Sequence, residues 1–104
     1  MHILDTSAVI NLMYGSEKGN SIKKAVGSNS VAISALTIYE LWLGMKPSET
    51  DFLYNLIQEV TVMDFNKLSA MKSANIEKEL KKKGTMINKV DLLIAGTCLA
   101  HGLE

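Results

Sequence analysis

Apolar and polar positions change period several times along this chain, dividing it into short strands and helices. His2-Ile3-Leu4 is an apolar run directly ahead of Asp5-Thr6-Ser7, a group able to cap a helix over residues 8–13. Residues 14–30 are polar and glycine-punctuated, with a weak amphipathic turn or two at Ile22, Ala25 and Val26. Val31-Ala32-Ile33-Ser34 reads as a buried strand, and Thr37 opens an apolar helix over 38–44. Lys46-Pro47-Ser48 breaks the chain, and Ser48 with Asp51 has the spacing of a capping box for a helix over 49–58. Residues 59–64 mostly alternate, as a half-buried strand does. Asn66 caps a long helix to Lys83, with Leu68, Met71, Ala74, Ile76 and Leu80 on its apolar side. Glu77 with Lys81 and Glu79 with Lys83 form i,i+4 pairs on its wet side, and Gly84 stops it. The last helix, 90–100, is apolar nearly all round and is expected to be a central buried element.

Strands alternating with helices predict an α/β domain on a parallel sheet. At 104 residues, without repeat, low-complexity tract or linker, one domain over 1–104 is expected. In such sheets functional groups gather at the carboxyl ends of strands. Three carboxylates fall where an apolar run meets the first turn of a helix: Asp5, Glu40 and Asp91. Their Leu, Ile and Val neighbours predict that they lie near a core, where an unpaired charge costs several kcal/mol. A divalent cation on oxygen ligands is the simplest common compensation. The competing reading is structural: Asp5 as an N-cap, and Glu40 three residues after Thr37 and Asp91 three after Asn88 at positions that suit capping interactions and the helix dipole. Capping also accounts for the Thr6 and Ser7 hydroxyls, and a turn or cap for Asp64.

Composition narrows the classes. Hydrophobic content of 47% with one proline describes a folded globule. Formal charge is zero, so no global field draws nucleic acid or membrane, and every basic residue is lysine. Lys81-Lys82-Lys83 reads as a solvated helix end, with an RNA-phosphate contact as its alternative. Cys98 is alone in an apolar stretch and reads as a packed thiol. His2 and His101 form no metal spacing, and Tyr39 and Trp42 read as packing residues. The start of the chain does not read as a signal peptide, and the apolar-rich run 31–45 is too short to span a bilayer. A soluble cytoplasmic protein with no membrane partner is expected. No phosphate-binding glycine loop, dinucleotide fingerprint or nucleophile elbow is present.

Leu4-Asp5-Thr6-Ser7-Ala8-Val9-Ile10, Ser34-Ala35-Leu36-Thr37-Ile38-Tyr39-Glu40-Leu41, Val90-Asp91-Leu92-Leu93-Ile94-Ala95 and Leu99-Ala100-His101-Gly102-Leu103, in this order, resemble a PIN domain. The variety they most resemble is the VapC-type toxin of bacterial and archaeal toxin–antitoxin pairs. The resemblance implies a three-layer α/β/α fold with a parallel sheet and a Mg²⁺- or Mn²⁺-dependent endoribonuclease. Asp5, Glu40 and Asp91 match the family's acidic metal-site positions, Ser7 matches a supporting polar position, and Thr6 stands beside it. It further implies an RNA substrate, a cognate antitoxin and a homodimer. The family pattern continues past His-Gly-Leu into a further strand near a fourth acidic or amide residue, whereas this sequence stops at Leu103-Glu104. The expectation is a PIN-like fold lacking its last strand or strands, with the Asp5 strand open to edge association. A catalytically weak or inactive PIN-like interaction module is the alternative function.

Overall fold

The computed structural model describes residues 2–15 and 31–102, in two compact units, Met1–Val62 and Met63–Glu104. The expected turns at Ile22, Ala25 and Val26, like Leu103 and Glu104, lie outside the described residues.

The first unit is built on two short parallel strands, β1 (His2–Leu4) and β2 (Val31–Ser34), paired His2 to Val31, Ile3 to Ala32 and Leu4 to Ile33. β2 is buried along its whole length, which fits its unbroken apolar run. Each strand passes straight into a helix: α1 (Thr6–Tyr14) follows β1 and α2 (Ala35–Gly44) follows β2. Asp5 caps α1, its Oδ1 accepting from the Ala8 amide at 2.8 Å. Ser34 caps α2 through Oγ, which accepts from the Leu36 amide at 3.1 Å. α2 therefore begins ahead of Thr37, the residue expected to open it, and Thr37 is buried inside the helix.

Gly15 closes α1 in the left-handed region at φ 69°, where a side chain would be strained. α3 (Thr50–Glu59) follows a tight turn. The Ser48/Asp51 box does not form there; Glu49 takes the cap position and its Oε1 accepts from the Lys46 amide at 2.9 Å. The Thr50 hydroxyl donates to Pro47 O at 3.0 Å, so the turn is held from within. Leu4, Val9, Val31, Ile33, Leu41, Leu53 and Leu56 form the core of this unit. The next strand, β3 (Thr61–Met63), is shorter than the alternation over 59–64 predicts and gives the sheet order β1-β2-β3. β1 ends that order, so among the described residues only its β2 side is paired.

The second unit is a helix pair. α4 (Lys67–Lys82) is capped by Asn66, whose Oδ1 accepts from the Ser69 amide at 2.9 Å, as its sequence predicts. Glu77 pairs with Lys81 at 3.3 Å as expected, while Glu79 reaches Lys82, at 3.5 Å, instead of Lys83. α5 (Lys89–Ala100) packs along α4. It is not buried all round: Leu92, Gly96 and Thr97 are buried, whereas Asp91, Ala95 and Leu99 are exposed. One facing helix covers one stripe, whatever the composition of the rest.

That stripe requires its glycine. A Cβ on Gly96 would collide with the Ser73 Oγ and lie 2.8 Å from its amide nitrogen and 2.9 Å from its Cα. Among the described residues the Ser73 hydroxyl, buried there, has no hydrogen-bond partner. Gly96→Ala is expected to lower stability by about 1–3 kcal/mol, because overpacking outweighs the better helix propensity of alanine. Ser73→Ala is expected to be neutral or to gain about 1 kcal/mol by removing an unsatisfied buried hydroxyl. Thermal or urea unfolding of the two variants and their combination checks both. Backbone collision predicts that Ser73→Ala does not rescue Gly96→Ala.

Candidate functional site

The three acids do not lie in a core. Asp5 and Asp91 are exposed and Glu40 is half-buried. Neighbouring helix positions turn by about 100°, so Leu92 is buried and Leu41 packs into the core while the acids beside them face outward. The cost of burial therefore does not demand a cation here, contrary to what the flanking residues predict.

Capping, the competing account, holds for only one of the three. Asp5 is an N-cap, and the cap engages Oδ1. Thr6 and Ser7 lie in the first turn and are exposed, so neither is the cap. Asn88 caps α5 by accepting from the Val90 amide at 2.9 Å and from the Asp91 amide at 3.4 Å, which leaves the Asp91 carboxylate with no capping task. Glu40 stands beyond the first turn of α2, whose cap is Ser34. Among the described residues, neither the Glu40 nor the Asp91 side chain takes part in a hydrogen bond or ion pair.

Parallel pairing brings the N-termini of α1 and α2 out at the same ends of β1 and β2. Between these helices lies a cavity of about 340 Å³, which Thr6 and Glu40 both line. Ile10, Met13, Leu41 and Met45 supply its apolar wall. Tyr14 and Glu49 complete it, the Tyr14 hydroxyl donating to Glu49 Oε2 at 3.4 Å. The place of Glu49 in this cavity is not legible in the sequence, because its position after Lys46-Pro47 signals only a helix start. Asp5 immediately precedes Thr6 in the chain.

Asp91 belongs to the second unit, near the start of α5. Glu77 on α4 pairs with Lys89, the first residue of α5, and so ties down the turn that carries Asp91. Hydrogen bonding from Lys89, then from Lys81, holds the Glu77 carboxyl below its ordinary value of 4.5. His101 closes α5 with its Nε2 3.0 Å from Asp64 O, a structural contact. Burial pushes the Cys98 thiol up, in keeping with a packed residue.

As a donor set, the acids suit a hard divalent ion: all are carboxylates, and Mg²⁺ is usually held by one or two of these with several waters. Within each unit, the described residues form no group of three or more His, Cys, Asp or Glu able to hold a metal. The first unit carries two of these carboxylates, Asp5 and Glu40, with the Thr6 hydroxyl on the Glu40 cavity.

The Glu77 pairing has a sign-definite pH dependence. A carboxyl with a lowered folded value stabilises above its unfolded value and loses that contribution as pH falls through the lowered one. Wild type is therefore expected to melt above Glu77→Gln near neutrality, the two curves converging in acid; thermal melts across pH check this.

The family model for the PIN domain matches residues 2–104. Ribonuclease VapC2 of Haemophilus influenzae is 25% identical over 107 residues, covering 98% of this chain and 81% of that protein. Among solved structures, DNA-bound VapBC from Salmonella typhimurium gives a TM-score of 0.82 at 25% identity, covering 98% of this chain and 81% of that one. VapBC2 from Rickettsia felis, bound to a DNA fragment from its promoter, shares the fold at a TM-score of 0.80 and 24% identity, covering 98% of this chain and 82% of that one. The α/β fold expected from the sequence is thus found in solved structures. With the family pattern running from β1 to the end of the chain, this protein belongs to the PIN-domain family.

Proposed function

We propose that this chain is a VapC-like endoribonuclease that cleaves RNA phosphodiesters, with Asp5, Glu40 and Asp91 as the carboxylates of a Mg²⁺ or Mn²⁺ site. The observation that carries this reading is that the Glu40 and Asp91 carboxylates make no hydrogen bond or ion pair among the described residues, in a chain of a family whose named relatives include a ribonuclease. Asp91, in the first turn of α5, is also favourable to that helix's dipole. When bound, the metal supplies an activated water and neutralises charge on the phosphate and leaving oxygens. The chain contributes hard anionic ligands. Asp5 is oriented by its cap to the Ala8 amide, which leaves Oδ2 outside that hydrogen bond. Glu40 is presented at the cavity beside Thr6. Asp91 sits on a turn fixed by Asn88 and by the Glu77–Lys89 pair. Ser7 and Thr6, both exposed, are polar groups available to waters at the α1 end.

A protein partner belongs to the same reading. Tyr39, Trp42 and Leu43 form an exposed apolar face on α2, where the sequence led us to expect packing. Such a face fits association with an antitoxin, and the solved relatives include VapBC complexes. A homodimer, possible also through the β1 edge, is part of the proposal. Among the described residues no helix is long and apolar enough to cross a membrane; a cytoplasmic site of action is part of the proposal.

Incubation with RNA and Mg²⁺ or Mn²⁺ tests the chemistry. Cleavage by wild type and at least a 100-fold loss in Asp5→Asn, Glu40→Gln and Asp91→Asn are expected, since each removes a ligand charge. Equal cleavage by wild type and Asp5→Asn would remove the metal mechanism. Because asparagine also caps helices well, Asp5→Asn should keep wild-type stability, while Asp5→Ala should lose about 1 kcal/mol. Chemical unfolding separates these two effects of one side chain.

A further inference from the structure

The zero formal charge conceals an uneven distribution. Lys78, Lys81, Lys82, Lys83 and Lys89 all fall within residues 78–89, where Glu79 is the only acid. Three of them, Lys78, Lys81 and Lys89, line one cavity of about 450 Å³ along the α4–α5 seam of the second unit. Its wall is apolar, with Ala70, Ala74 and Leu93, and it includes Phe65, which is 40% exposed. From Ala70 to Lys81 the helix rises about 16 Å, enough to give the groove distinct stretches. The backbone carrying Phe65 is anchored on both sides, by the Asn66 cap and by the Ser69 hydroxyl, which lies 3.0 Å from Asn66 Oδ1 and 3.5 Å from Asp64 O.

We infer that this α4–α5 groove binds a short stretch of single-stranded RNA, with phosphates on Lys78, Lys81 and Lys89 and a base against Phe65. Resting on the ribonuclease reading for its substrate class, it adds where the strand outside the scissile bond is held. An aromatic face joined to a track of cations is how single strands are gripped without regard to sequence, because every base has a π-face. An acidic peptide would satisfy the lysines and leave the aromatic wall without a flat partner. The absence of arginine removes the side chain best suited to bidentate base or phosphate contacts, so sequence-tolerant binding is expected.

Glu77 is the built-in competitor. Its carboxylate lines the same cavity and pairs with both Lys81, at 3.3 Å, and Lys89. In the free protein it holds these two ammonium groups together; an arriving phosphate must draw them away from it. Neutralising Glu77 thus frees two cations and should tighten RNA, although it removes two ion pairs from the fold.

Fluorescence anisotropy of a labelled single-stranded RNA, measured on the full chain in EDTA across a salt series, reads this directly. Three phosphate contacts predict a slope of log affinity against log salt of about −2, at roughly −0.7 per contact on a single strand. Lys81→Gln with Lys89→Gln is expected to weaken binding at least tenfold and to remove about two-thirds of the slope. Phe65→Ala is expected to weaken binding about tenfold with the slope unchanged. Glu77→Gln is expected to tighten it several-fold, an outcome that a misfolded variant does not produce. Wild-type affinity and slope in the double lysine variant, or no binding by wild type, would overturn the assignment. Chelating the metal keeps this readout apart from cleavage. A chain that binds through these residues but never cleaves upholds the groove and removes the nuclease reading. One that cleaves while the double lysine variant binds unchanged does the opposite.

Discussion

Everything in the first unit depends on two strands of three and four residues lying parallel in one register. Strands this short have little stability of their own; burial of Leu4, Val31 and Ile33 with Val9 and Leu41 holds them. Because β1 and β2 point the same way and each turns into a helix without an intervening loop, two helix N-termini emerge together. A slip of one residue would send the inward set of side chains outward. It would also change what α1 presents to the Glu40 cavity.

The second unit depends on close approach of two helices. Gly96 admits the backbone of Ser73, and the polar Thr97 is accommodated by donating its hydroxyl to Leu93 O at 2.7 Å. The Glu77–Lys89 pair then fixes the first turn of α5, so one surface carboxylate both positions the Asp91 turn and holds the lysines of the seam. Structural and binding roles meet in the same side chain. Its charge favours the fold while opposing an anionic ligand.

Much of this was legible because period and caps are local. Asp5, Asn66 and Asn88 lie at helix starts, and the apolar run Val31-Ala32-Ile33-Ser34 is a buried strand. The misreadings share one cause, which is that sequence gives composition around a residue but not its direction. Asp5 and Asp91 have apolar neighbours and still face water; α5 is apolar nearly all round and buries one stripe. Ser34, read as the end of a strand, serves also as the cap of α2, and that single hydrogen bond removes the capping explanation for Glu40. The cavity role of Glu49 and the Lys89–Glu77 pair needed the fold, since their partners lie 35 and 12 residues away. The metal argument has consequently changed its footing, from charges that burial would make costly to exposed or half-buried carboxylates, two of which, Glu40 and Asp91, make no hydrogen bond or ion pair among the described residues.

Calorimetric titration of the apo chain with Mn²⁺, alongside Asp5→Asn, Glu40→Gln and Asp91→Asn, tests that footing most directly. The account predicts a saturable isotherm for wild type that is strongly weakened or lost in all three variants while their folds persist. An isotherm unchanged by neutralising any one of these acids would contradict it.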